Sequence, residues 1–157
     1  MKTKVFFAIL IAAFGIWYYY YNEGSYTKTD GFELTYIDNS IIKNYNSNIL
    51  LNFCNTSNSS CNQFQPILKS VYNELGNLNV KILNIDIFDN PELLNKFPIS
   101  LIPIQFFYTK DGVNFKPKSE IGKKFKEVNF NDETFYYHLG ILTQEEIMLI
   151  FEEMQNY

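Results

Sequence analysis

Arginine is absent from this sequence, and all 13 basic residues are lysines. With 17 acidic residues the formal net charge is −4, so the chain offers no electrostatic basis for binding nucleic acid. Cysteine occurs only at Cys54 and Cys61, and histidine only at His138. Their spacing matches no zinc motif, and no glycine-rich phosphate loop is present, so we predict neither a metal site nor a cofactor. His138 lies in a strand-like aromatic run, which favours a packed or surface residue over a catalytic one.

Aromatic residues are abundant, with 15 Phe and 12 Tyr among 157 residues. Such a composition is typical of a packed globule rather than a disordered chain. The length is sufficient for one domain with a sizeable core, and no internal repeat is visible. We therefore expect a single globular domain behind the amino-terminal segment.

The first 24 residues have the pattern of a membrane-targeting segment. Lys2 and Lys4 precede an uncharged apolar run at 5–21, which ends in a belt of Trp and Tyr residues. Basic residues before an apolar run keep the amino terminus in the cytoplasm, and aromatic residues favour the membrane interface. We predict an uncleaved signal anchor over 1–24, with a cleaved signal peptide and secretion as the alternative. Residues 25–34 would then link it to a domain at 35–157 outside the cytoplasm.

Two amphipathic helices are predicted from spacing alone. Behind Cys61 the apolar residues recur at three- and four-residue steps, and Gly76 follows as a stop signal. Near the carboxyl end, Thr143 and Glu146 have the spacing of a capping box. The apolar stripe of that second helix comprises Ile147, Ile150, Phe151 and Met154.

Strand-like runs alternate with these helices. Buried strands are predicted at 48–54 and 79–86, and a short helix after the second would begin at Pro91 with Asn90 as its cap. A further strand follows Pro103 and ends at a Lys-Asp-Gly turn. The alternation predicts an α/β fold whose central mixed sheet is partly parallel and is flanked by helices.

Residues 48–68, NILLNFCNTSNSSCNQFQPIL, are similar to the redox site of the thioredoxin-like family. Cys61 and Pro66 keep that family's spacing between its second active-site cysteine and a helix proline. The resemblance, to a membrane-anchored or secreted bacterial member, puts Asn58 in the place of the first cysteine. Asn52 stands where the family commonly carries a buried acid. The four-residue family motif is thus degenerate here, as Asn58-Ser59-Ser60-Cys61.

The resemblance also implies function. Pro103 is the position of the family's cis proline, so Ile102, Pro103 and Asn58 are expected to bind extended client segments. The implied reaction is thiol–disulfide exchange with protein clients, with Cys61 and Cys54 as catalytic residues and a membrane redox protein as a possible electron donor.

The state of the two cysteines is open at this point. Outside the cytoplasm disulfides persist, and Cys54 and Cys61 could pair if their Cα atoms approach to within about 4.4–6.8 Å. One hypothesis is a redox pair at these relocated positions. A second is a redox-silent domain that binds a secreted or membrane client beside Pro103. A third is that both cysteines simply pack in the interior.

Residues 113–132 form an insert that is longer than the tight hairpin the family has at this place. The insert carries five lysines and is interpreted as a solvated loop or extra hairpin: Lys116, Lys118, Lys123, Lys124 and Lys126. The alternative is attraction of this lysine cluster to anionic lipid headgroups.

Overall fold

The computed structural model describes residues 42, 46–75 and 79–157. The predicted anchor at 1–24, the linker at 25–34, the beginning of the domain and the stop signal Gly76 lie outside these residues. Along the described chain the elements are β1 Asn48–Cys54, α1 Ser59–Leu75, β2 Val80–Asp86, a 3₁₀ helix Pro91–Asn95, β3 Ile104–Tyr108, a second 3₁₀ helix Glu120–Lys124, β4 Lys126–Phe130, β5 Glu133–Leu139 and α2 Gln144–Gln155.

Five strands form one mixed sheet in the order β2-β1-β3-β5-β4. The pair β1–β2 is parallel, and the pairs β1–β3, β3–β5 and β4–β5 are antiparallel. The predicted α/β architecture with a mixed sheet is confirmed for the described residues. Strand β1 is central, and all seven of its residues are buried, as expected for a strand covered on both faces.

Each face of the sheet carries its own core. Under α1 and α2 the core includes Leu50 and Phe107, together with the apolar stripes of both helices. On the opposite face Phe53, Phe97 and Phe106 pack with ring centroids 5.0–5.9 Å apart. The alternation of side chains along β1 and β3 distributes these residues between the two cores.

Helix α2 matches its sequence prediction closely. Thr143 caps it, and the reciprocal hydrogen bonds with Glu146 complete a capping box. All four residues of the predicted stripe are buried. A local signal in the sequence was sufficient here because both the cap and the stripe lie within one helix.

The prediction that Asn90 caps a helix is wrong. The segment Pro91–Asn95 is a 3₁₀ helix with Pro91 in its first turn, but the Asn90 side chain forms no cap hydrogen bond. Its Nδ2 instead donates to the Asp86 carbonyl oxygen at 2.9 Å. The buried Asn90 therefore ties the end of β2 to the following turn, because this carbonyl lies within reach of its amide.

The insert at 113–132 contributes an edge strand. It contains the second 3₁₀ helix and β4, and β4 pairs with β5, so of the two expected forms, a solvated loop or an extra hairpin, the segment has the hairpin. Gly122 is required within it, since a Cβ there would overlap the Pro117 carbonyl oxygen. The five lysines are exposed, and two of them form ion pairs, Lys123 with Glu120 and Lys124 with Glu146. Attraction to lipid stays a prediction.

Within the described ranges, neither helix has the length and apolar character needed to cross a bilayer. The apolar run at 5–21 lies outside those ranges.

Candidate active site

Cys54 and Cys61 form a disulfide, with their Cα atoms 5.6 Å apart. Cys54 is the last residue of β1, and Cys61 lies in the first turn of α1. The loop at 55–58 folds back between them, so the pairing that the sequence left open is made. Both residues are buried, with 7% of Cys54 and 4% of Cys61 exposed. A client therefore has little direct access to either sulfur.

Asn58 caps helix α1. Its side-chain Oδ1 accepts hydrogen bonds from the backbone amides of Ser60 at 2.9 Å and Cys61 at 3.1 Å. These are amides of the first helical turn, which have no partner within the helix. Asn58, which stands in the place of the family's first cysteine, thus places a neutral amide oxygen at the amino terminus of the helix. Its predicted role in substrate binding stays a prediction.

A backbone amide reaches one of the two sulfurs. The N–H of Asn55 donates to Sγ of Cys61 across 3.4 Å, in a buried environment. The sequence offered no signal for this contact, because it depends on how the loop folds back onto the helix.

Asp86 holds Asn55 in place. Nδ2 of Asn55 donates to both carboxylate oxygens of Asp86, at 3.0 and 3.1 Å, and the amide of Phe88 donates to the same carboxylate at 2.8 Å. Partial burial raises the pKa of Asp86, but the hydrogen bonds from Asn55, Phe88 and Thr56 outweigh it, and the pKa is lowered from its ordinary value. The carboxylate is therefore ionised at neutral pH.

Sheet register places Cys54 beside Asp86 and close to Pro103. Cys54 pairs with Asp86 in the parallel ladder, and its neighbour Phe53 pairs with Ile104, the residue that follows Pro103. The bond Ile102-Pro103 is cis, as the family resemblance implied. The Pro103 carbonyl accepts from Gly140 at 2.9 Å. The predicted site residues thus converge at one end of the sheet.

Apolar side chains are exposed around this end of the sheet. Leu101 is 66% exposed just before the cis bond, and Phe88 is 73% exposed two residues after Asp86. Ile102 is partly buried, and Pro103 is buried. Exposed large apolar side chains near a site are a feature of surfaces that bind partners.

A second row of side chains, which we call the polar row, crosses the sheet two residues further in: Asn84, Asn52, Gln105 and His138. Gln105 faces Asn52 on β1 and His138 on β5, and Asn52 faces Asn84 on β2. Asn52 donates to Asn84 at 2.7 Å, and Gln105 donates to Asn52 at 3.0 Å. His138 Nδ1 lies 2.7 Å from Oε1 of Gln105.

The hydrogen bonds of the polar row are all donated in the same direction across the sheet, from His138 toward Asn84. Gln105 uses its amide nitrogen toward Asn52 and presents its oxygen to His138, so the proton of the neutral ring lies on Nδ1. Burial lowers the pKa of His138 to about 4, while Glu146 acts to raise it and Lys124 to lower it. His138 is therefore a packed residue, one of the two placements, packed or surface, that the sequence favoured. Asn52, in the place of the family's acid, is fully buried and holds no titratable proton.

No cluster of three or more His, Cys, Asp or Glu side chains within the described ranges is arranged to hold a metal ion. Both cysteines are committed to the disulfide, and the ring of His138 is committed to the polar row through Nδ1.

Comparisons with known proteins agree with this architecture. The family model described as Thioredoxin matches residues 35–129. Chloroplastic thioredoxin z is similar in structure, with a TM-score of 0.51 and 20% identity over 71% of this chain and 81% of the other. Thioredoxin from Fasciola hepatica gives a TM-score of 0.50 and 16% identity, with 73% and 88% covered.

A third similar structure is described as the basis of thiol resolving in yeast mitochondrial 1-Cys peroxiredoxin via glutathione/thioredoxin systems. Its matched chain gives a TM-score of 0.55 and 16% identity, with 82% of this chain and 98% of that chain covered. At these identities the likeness concerns the fold. The comparison with curated proteins gives no match.

Proposed function

Because this chain belongs to the thioredoxin family, we propose that its Cys54–Cys61 disulfide exchanges with thiols of client proteins. The observation that carries the proposal is the position of the disulfide, between the first turn of α1 and the end of β1, next to Phe53, which pairs with Ile104 directly after Pro103. In this family, the place beside the cis proline is where extended clients bind. A thiol pair at that place is suited to exchange with them.

The reaction conserves atoms and electrons as follows. A client thiolate bonds to one sulfur of the pair, the bond between Cys54 and Cys61 breaks, and the second sulfur leaves as a thiolate. A second client thiolate then displaces the first sulfur. The client dithiol is oxidised to a disulfide, the Cys54–Cys61 disulfide is reduced to a dithiol, and two protons pass from client to protein.

Proton transfer differs from that of a member with a buried acid. Asn52 is an amide, and its carboxamide is bonded to Asn84 and Gln105. The proton that neutralises the released thiolate therefore comes from the client or from water. We expect exchange to be slower than in family members that carry the acid.

Exchange can be measured with the full chain in detergent micelles. The oxidised protein is mixed with a reduced peptide that contains two cysteines, and peptide oxidation is followed by mass spectrometry. Wild type and Ser60→Ala, which keeps both cysteines, should oxidise the peptide, and Cys61→Ser should not. Equal, uncatalysed rates in all three proteins would contradict the proposal.

A second candidate function is a redox-silent binding domain. It is favoured by the burial of both sulfurs and by the exposure of Leu101 and Phe88 around Pro103. In that case a secreted or membrane client would bind beside Pro103 regardless of the thiols. A variant with both cysteines changed to Ser separates the two functions, since it would keep client binding and lose only exchange. Leu101→Ser would instead weaken client binding.

We also propose that the domain works outside the cytoplasm, held at the cell membrane by residues 5–21, with secretion as the alternative. The proposal is supported by Lys2 and Lys4 before this apolar run, and by the disulfide, which persists in oxidising compartments. After cell fractionation the untreated full chain should be found in the membrane fraction. Protease added to intact cells should digest its domain at 35–157. Complete protection in intact cells would contradict it.

A further inference from the structure

The disulfide is asymmetric, and its two sulfurs have different surroundings. We propose that the client bonds to Cys54 and that Cys61 is the leaving sulfur, with the Asn55 amide as its hydrogen-bond donor and Asp86 as the residue that positions this amide. The inference rests on the proposed exchange function, and it assigns a role to each sulfur that the sequence could not assign.

The first observation is the hydrogen bond from the Asn55 N–H to Sγ of Cys61, 3.4 Å long and buried. When the disulfide opens, the sulfur that leaves carries a full negative charge. A hydrogen bond to a charged acceptor is stronger than one to a neutral acceptor, so this amide stabilises Cys61 more as a thiolate than within the disulfide. In exchange reactions the sulfur with the lower thiol pKa leaves faster.

The second observation is that Asn55 cannot readily turn away. Its Nδ2 is held by both oxygens of Asp86, and its Oδ1 accepts from the amide of Ser57 at 2.8 Å. Only 8% of the residue is exposed. The donor is therefore fixed before the reaction, and little ordering is needed when the charge develops.

Cys61 also lies in the first turn of α1, where the helix dipole favours negative charge. For Cys54 the described part of the chain supplies a hydrogen bond only at the backbone, where its carbonyl accepts from Ile87 at 3.0 Å. No donor reaches its sulfur among these residues. Stabilisation of the leaving charge therefore favours Cys61.

The position of Cys54 suits the attacked sulfur. Register pairs it with Asp86, and its neighbour Phe53 pairs with Ile104 directly after Pro103. The exposed Phe88 and Leu101 lie close in sequence to Asp86 and Pro103. A client segment beside Pro103 is thus adjacent to the strand that carries Cys54. The client sulfur bonds to Cys54, the disulfide breaks, and the electron pair passes to Cys61. A second client thiolate then attacks the client sulfur, and Cys54 is released as a thiol.

The first arm of the test identifies the sulfur that bonds to the client. Full-length Cys61→Ser and Cys54→Ser proteins are each activated with a mixed disulfide reagent and offered a reduced single-cysteine peptide. We expect a peptide adduct to form at least tenfold faster on Cys54 than on Cys61, because Cys54 ends the strand that lies beside Pro103, where a client segment would bind. An adduct that forms equally fast or faster on Cys61 would overturn the assignment.

The second arm measures the thiol pKa of Cys61 and needs no client. In the Cys54→Ser background, alkylation by iodoacetamide is followed against pH to obtain the thiol pKa of Cys61. Asn55→Ala should raise it by about half to one unit, a three- to tenfold fall in thiolate at neutral pH. The control is Asn62→Ala, which removes a hydrogen bond to Thr56 in the same loop and leaves Asn55 in place.

Asp86→Ala distinguishes the positioning role of Asp86 from the effect of its negative charge. Loss of a nearby negative charge would lower the thiol pKa of Cys61, whereas loss of positioning would raise it. We expect a rise, with no rise in Asp89→Ala, which removes an exposed carboxylate from the same turn. A fall in Asp86→Ala, or equal values in Asn55→Ala and Asn62→Ala, would overturn the role of this pair.

Failure of the proposed function has a different signature. If exchange does not occur, the oxidised wild-type protein leaves the client dithiol unchanged, while the thiol pKa of Cys61 still reports on Asn55 and Asp86. The second arm therefore decides the role of Asn55 and Asp86 in either case.

Discussion

Nδ1 of His138 lies 2.7 Å from Oε1 of Gln105, and both side chains are buried where β3 and β5 pair. The contact belongs to a series of side-chain hydrogen bonds, in which Gln105 donates to Asn52 and Asn52 donates to Asn84 on the edge strand β2. Four strands are thus joined by side chains as well as by their backbones.

Acidification should destabilise the protein through His138. Its pKa is lowered to about 4 in the folded state against about 6.5 when unfolded, so the unfolded state binds the proton first as pH falls. The contribution of neutral His138 to the free energy of unfolding is present above about pH 6.5 and is lost as the pH falls toward 4. At pH 4.5 the loss is about 2 kcal/mol. The measurement is urea unfolding at pH 7 and pH 4.5.

The control for this prediction is His138→Gln, which keeps a donor toward Gln105 and cannot titrate. Asp86 and Glu146, whose pKa values are lowered, begin to lose their contribution as pH falls to their ordinary values, but both residues are present in the wild type and in the variant, so the difference between the two proteins reports His138. An identical pH dependence in the wild type and this variant would contradict the role of His138.

Gln105 should be among the most sensitive polar residues of the fold. Gln105→Leu leaves the His138 ring without its buried partner and removes the donor to Oδ1 of Asn52, at about 1 to 3 kcal/mol for each group. We expect a loss of about 2 to 6 kcal/mol in the free energy of unfolding. Gln63→Leu on the exposed side of α1 is the control and should stay within about 0.5 kcal/mol of the wild type. Similar losses in both variants would refute the prediction.

Asn58 should act as a helix cap. Asn58→Ala removes the acceptor of two amides and should cost about 1 kcal/mol, whereas Asn58→Asp keeps the acceptor and should be close to the wild type. Thermal unfolding at neutral pH measures both. If Asn58→Asp is as unstable as Asn58→Ala, capping is not the reason why Asn58 stabilises the protein.

Gly122 should not tolerate a side chain. A Cβ would overlap the backbone oxygen of Pro117, which no side-chain rotation can relieve. Gly122→Ala should therefore destabilise the hairpin that contains β4, by about 1 to 3 kcal/mol. Ser119→Ala is the control, since the Ser119 side chain forms no cap hydrogen bond. Unchanged stability of Gly122→Ala would show that this loop rearranges freely.

The features predictable from sequence were those with a local pattern. The cap and stripe of α2 depend on residues three and four apart, and the buried run of β1 is continuous in sequence. The cis bond before Pro103 was expected only from the family resemblance. The prediction that Asn90 caps a helix was wrong because the nearby carbonyl oxygen of Asp86 accepts from its side-chain amide instead.

The features that sequence reasoning missed depend on register between distant strands. Nothing local indicates that Asn52, Gln105 and His138 lie in one row, since they are brought together only when β1, β3 and β5 pair. The contact of Asn55 with Cys61 and its anchor at Asp86 likewise require the loop at 55–58 to fold back onto β2. Polar residues in otherwise apolar strands were the available signal.

The central claim is that Cys54 and Cys61 are an exchangeable pair, and a redox titration of the folded protein tests it most directly. The full chain is equilibrated with dithiol buffers of graded potential, and its free thiols are counted by alkylation and intact mass. We expect the disulfide to open in the folded protein between about −120 and −270 mV, the range of known exchange proteins. A disulfide that stays closed throughout this range, and opens only after the protein is unfolded, would contradict the account.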